Sequence, residues 1–100
     1  MKLKDGVILA GLQIEMRPGL IVADRLWRKY GHELVLTCGL NGSHSAGSLH
    51  YYGLAVDCRT FYFDPEELLD LFQELKETLP SEFDVVLESD HIHLEYDPKA

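Results

Sequence analysis

SLHYYGLAVD, residues 48–57, sets a His and an Asp inside a run of small, aromatic and apolar side chains. Residues 51–61 have strand character. Side chains alternate along a strand, so His50 and Asp57, an odd interval apart, face opposite ways if the strand is unbroken. Two readings follow. Either this is a half-buried strand with two incidental polar residues, or the chain bends so that both groups meet. The second requires His50 to sit in the loop ahead of the strand, or the strand to bulge between them. Gly53 is the place for such a bend.

The last strand-like segment, HIHLEY (residues 91–96), sharpens the choice. Period two sets Ile92, Leu94 and Tyr96 on one face and His91, His93 and Glu95 on the other. Taken alone, the His-x-His pair is the solvent face of an edge strand. The chain, however, also holds His44, His50 and Asp57. Imidazole and carboxylate are the usual ligands of catalytic zinc, whose sites take three protein ligands and keep one position open. Hydrolysis at such a centre needs a nearby carboxylate as general base, and Asp90 precedes His93 in a DxxH pattern. Parity allows Asp90 and His93 to converge only if Asp90 lies on the turn before the strand.

Outward from these segments, the chain reads as one α+β domain over residues 1–100 with a small, mainly antiparallel sheet and flanking helices. RPGLIVADRLWRKYG (17–31) predicts a helix, with Pro18 in its first turn, Gly31 at its end and Leu20, Ala23, Trp27 and Tyr30 at helical spacing. ELVLTC (33–38) predicts a buried strand. GLNGSHSAGS (39–48), with three glycines and three serines, is a loop. FDPEELLDLFQELKETLP (63–80) predicts the second helix, capped by Asp64 and carrying Leu68, Leu71, Phe72, Leu75 and Leu79 as a core stripe. FDVVLES (83–89) and HIHLEY complete the sheet, with Ser89 and Asp90 between them at a tight turn.

Composition bounds the function. A formal net charge of −8 is the wrong sign for tracking phosphates, which excludes nucleic acid as the expected partner. The N-terminal MKLKDGVILAGLQIEM has no small-residue cleavage site and is too short to cross a bilayer, so neither a signal peptide nor membrane insertion is expected. Cys38 and Cys58 form no CxxC and read as two buried thiols. There is no HExxH, P-loop, GxGxxG, GxSxG or deaminase PCxxC pattern.

The two motifs together resemble the zinc D-Ala-D-Ala carboxypeptidase and L-alanyl-D-glutamate endopeptidase family, which includes phage endolysins and shares its fold with the Hedgehog signalling domain. SLHYYGLAVD matches SxHxxGxAxD, and ESDHIHLEY matches an acidic residue three before a His on the final strand. The resemblance implies a Hedgehog/DD-peptidase-like fold and a Zn2+ centre held by His50, Asp57 and His93. It makes Asp90 the catalytic acid/base and Ser48 a hydrogen-bonding residue that orients the site. Gly53 and Ala55 become positions of close backbone packing, and His91 lines the cleft or faces a substrate oxygen. It further implies peptidoglycan stem peptides as substrates. The family's Ser-Gly-aromatic-Arg segment has no counterpart in Thr37–Asn41, which leaves Asn41, His44 or His91 as oxyanion donors. The expected product is a phage or prophage lysis or virion component, made in the cytoplasm and acting on the bacterial wall. Two other readings stand beside it: a non-catalytic, zinc-stabilised binding module on the same fold, and an acidic domain without metal.

Overall fold

The computed structural model describes residues 1–40 and 49–98. Its elements are β1 (Lys2–Leu3), α1 (Arg17–Lys29), β2 (Val35–Cys38), β3 (Ala55–Arg59), α2 (Pro65–Thr78), β4 (Phe83–Leu87) and β5 (His91–Tyr96). Single turns of 3₁₀ helix at Ile14–Met16 and Leu49–Tyr52 precede α1 and β3. The strands form one mixed α+β sheet in the order β1-β2-β3-β5-β4. Its pairings are antiparallel except β1 with β2, which is parallel. The expected mainly antiparallel sheet is present. The short β1 strand was not anticipated, because two exposed residues carry no periodicity.

Both helices form where the sequence places them. Pro18 sits in the first turn of α1, and Gly31 just beyond its end has φ +83°, a left-handed conformation that glycine adopts without strain. Asp64 caps α2 by accepting a hydrogen bond from the Glu67 amide at 2.8 Å. The helices cover one face of the sheet. Trp27, Leu71 and Leu75 pack there in one cluster with Leu36, Val56, Cys58, Ile92 and Leu94, all essentially fully buried. The Trp27 indole N–H also donates to the Arg59 carbonyl at 3.1 Å, fastening α1 to the end of β3.

The register fixes what the other face carries. Across β3 and β5, Cys58 opposes Ile92 and Val56 opposes Leu94 on the core face, whereas Asp57 opposes His93 and Arg59 opposes His91 on the far face. The β2–β3 register shifts between Leu36 and Cys38, so that Cys38 rather than Thr37 pairs with Asp57. This bulge sits directly beside the Asp57 carboxylate.

Candidate metal centre

His50 does not lie on the strand. It sits in the 3₁₀ turn Leu49–Tyr52, and the regular strand starts only at Ala55, later than the sequence suggested. Gly53 links the two with φ +72°. A side chain there would collide with the Gly11 carbonyl, and the Gly53 carbonyl accepts from the Gln13 amide at 2.9 Å. The bend therefore stands where parity required it, and the N-terminal segment is its abutment. Asp90 lies in the turn before β5, as parity also demanded.

The consequence is a triangle. His50 Nε2 is 3.1 Å from Asp57 Oδ1, His93 Nδ1 is 3.1 Å from the same oxygen, and the two nitrogens are 3.2 Å apart. Each ring is held by its other nitrogen. His50 Nδ1 donates to the Gly39 carbonyl at 2.8 Å, which can only accept. His93 Nε2 donates to Glu95 Oε1 at 2.7 Å. With those hydrogens placed, neutral His50 and His93 both turn bare lone pairs towards the Asp57 oxygen. Three acceptors with no proton between them repel one another unless a cation lies among them. A tetrahedral metal with bonds of about 2.0–2.1 Å spaces its donors about 3.3 Å apart, close to the triangle observed. The donor set and the oriented rings fit Zn2+.

In the metal-free protein a proton is drawn to the same place. Burial would push the Asp57 carboxyl up, but hydrogen bonds from His50 and His93 outweigh it and hold the group well below the usual carboxylate range. His93 is raised, first by its hydrogen bond to Asp57, against the opposing effect of burial, with Glu95 adding to the rise.

Beside the triangle opens a cleft of about 380 Å³, bordered by Asp57, Cys38, His91 and Asp90. His91 thus lines the cleft as expected. Its Nδ1 is 2.6 Å from Asp90 Oδ1, and its Nε2 is 3.7 Å from Asp57 Oδ1. Asp90 itself is exposed at the rim, with 80% of its side chain accessible. Asn41, His44 and Ser48 lie outside the described residues.

Cys38 departs from expectation. It is half-buried rather than buried, and its sulfur lies within 4.8 Å of the ligand atoms of His50 and Asp57, a group able to hold a metal ion. Burial, then the charge of Asp57, pushes its thiol pKa up. Cys58 is buried as expected and faces the core, on the opposite side of the sheet, and no disulfide joins the two thiols. Sequence reasoning also missed the two groups that orient the ligands. Glu95 was legible, since it shares a strand face with His93 two positions away. The Gly39 carbonyl was not, because no side-chain pattern marks a backbone acceptor.

No family model matches this chain, and no curated protein matches it. Among the described residues, no helix is long and apolar enough to cross a membrane.

Proposed function

We propose that this chain is a zinc-dependent peptidase acting on peptidoglycan peptides, of the D-Ala-D-Ala carboxypeptidase or L-alanyl-D-glutamate endopeptidase type, on a Hedgehog/DD-peptidase-like fold and encoded by a phage or prophage. One observation carries the reading: the lone pairs of His50, Asp57 and His93 converge at 3.1–3.2 Å with both rings oriented from behind. The two motifs that resemble the family supply those three donors together with Asp90. Zinc bound there supplies a Lewis acid that polarises a carbonyl and lowers the pKa of water to about 7.

The remaining work falls to the chain. The Gly39 carbonyl and Glu95 hold the outer N–H groups of His50 and His93, which fixes both rings with His50 Nε2 and His93 Nδ1 facing the centre. Asp90, oriented by the His91 Nδ1–H, takes the proton of the attacking water and returns it to the leaving amine. The exposed rim position of Asp90 leaves it open to a peptide entering the cleft. Digestion of purified peptidoglycan by zinc-loaded protein, read by mass spectrometry, tests this directly. Free D-Ala marks a carboxypeptidase and a new D-Glu amino terminus marks an endopeptidase. Asp90→Asn should keep zinc and lose about 10²–10⁴ in rate; full-rate digestion by that variant would remove Asp90 from the mechanism.

Cys38 favours a second reading. A thiolate as fourth ligand would close the coordination shell and turn the centre into a structural zinc in a non-catalytic binding module. The bulge that brings Cys38 opposite Asp57 is the observation behind it.

A further inference from the structure

The cleft beside the triangle is also lined by Lys4, Arg59 and Phe61. This placement is unusual for the chain, which has 17 acidic and 9 basic residues. Three other basic side chains are spent on carboxylates, Arg28 on Asp24, Lys29 on Glu74 and Lys2 on Glu33, whereas Arg17, Arg25 and Lys76 have none within 4.0 Å among the described residues and do not line the cleft. Among the described residues, neither Lys4 nor Arg59 has a carboxylate within 4.0 Å. The two carboxylates that border the cleft, Asp57 and Asp90, are instead engaged by histidines.

Arg59 is also well aimed. It follows Asp57 by two positions on β3, so it shares the ligand face, about 7 Å along the strand. It pairs in register with His91. Its guanidinium lies 5.2 Å from the Phe61 ring centroid, a cation–π contact that restrains the side chain while leaving its N–H groups unspent. A half-buried, restrained guanidinium with no anion of its own is a receptor for a planar carboxylate.

We propose that Arg59, with Lys4 in the same cleft lining, forms the subsite that binds a free α-carboxylate on the substrate residue whose nitrogen leaves. This rests on the peptidase reading and deepens it. Both candidate bonds share that chemistry: the terminal D-Ala of a D-Ala-D-Ala peptide has a free carboxylate there, and so does a D-Glu joined through its side chain. The cleft thereby selects a free carboxylate and disfavours an amide at the same position.

The test titrates the zinc-loaded full chain with four peptides and follows hydrolysis in parallel. Two end in D-Ala-D-Ala, as the free acid and as the C-terminal amide. Two carry L-alanyl-D-glutamate, with the α-carboxyl free or amidated. The wild type should bind at least one acid about 10–100-fold more tightly than its amide, the range of a charge-assisted hydrogen bond. Which pair shows the preference tells the two sources apart. The preference should vanish in Arg59→Met and survive in part in Arg59→Lys, with zinc content and melting temperature recorded for each. Equal binding of acid and amide by the wild type, no binding of either, or a preference undiminished in Arg59→Met overturns the subsite. Acid-selective binding without any cleavage overturns the peptidase reading and leaves the subsite standing. Cleavage without acid preference does the reverse.

Discussion

The two faces of β3 and β5 are built from alternate residues of the same few positions, yet they obey different rules. On the helix side, Val56, Cys58, Ile92 and Leu94 disappear into a dry core held by many interchangeable contacts. On the other side, Asp57 and His93 meet His50 at specified distances, and the outer nitrogen of each ring is held by a named acceptor. The first face tolerates a change of shape at a cost proportional to lost contact. The second depends on single atoms. Stability and metal affinity should therefore separate by face, although neighbouring residues of one strand supply both.

The largest expected effect lies on the core face. Leu94→Ala should cost about 2–5 kcal/mol of stability through the cavity it leaves, in the metal-free and zinc-loaded protein alike, as measured by denaturant unfolding. Next comes the ligand face. Zinc at a hundred times its dissociation constant should stabilise the wild type by about 2.7 kcal/mol, whereas Asp57→Asn should show no zinc-dependent rise in melting temperature. A zinc-dependent rise in that variant would mean that the metal sits elsewhere. Smaller again is Glu95→Gln, which loosens the His93 ring without removing a ligand. It should weaken zinc about 10–100-fold in a competition titration with a chelating dye.

The subtlest contrast is in pH. His93 has a raised pKa in the metal-free fold, so its contribution is fully present below the ordinary value of about 6.5 and is lost as pH rises through the raised one. Asp57 is lowered, so its contribution is present above the ordinary value of about 4 and is lost as pH falls through the lowered one. The metal-free protein should thus melt at lower temperature as pH rises above 6.5. Zinc needs His93 Nδ1 bare, so the increment it adds should grow over the same interval. Melting curves with and without zinc that move in parallel would contradict the shared position of proton and metal.

Much of the architecture was legible because it is written in local periodicity. Trp27 with Ala23, and Leu71 with Leu75, mark the buried sides of the two helices, and Ile92 with Leu94 marks the buried side of β5. The need for a bend between His50 and Asp57 followed from parity alone, and Gly53 supplies it. What could not be read was set by tertiary contact. The parallel pairing of β1, the support of Gly53 by Gly11, and the Gly39 carbonyl behind His50 join segments far apart in sequence. Cys38 was read as a buried thiol. The bulge that turns it towards the cleft depends on β3, which ELVLTC does not encode. Arg59 was available by the same alternation that gave Asp57, but a lone basic residue after an apolar run says nothing until the cleft beside it is known.

The central claim is an open centre held by His50, Asp57 and His93, and X-ray absorption at the zinc edge tests it most directly. The full chain, reconstituted with zinc and freed of excess metal, should hold one ion per chain. Its inner shell should contain only nitrogen and oxygen, at about 2.0–2.1 Å. A sulfur at about 2.3 Å would place Cys38 in the shell and close the centre, and failure to retain zinc would remove it altogether.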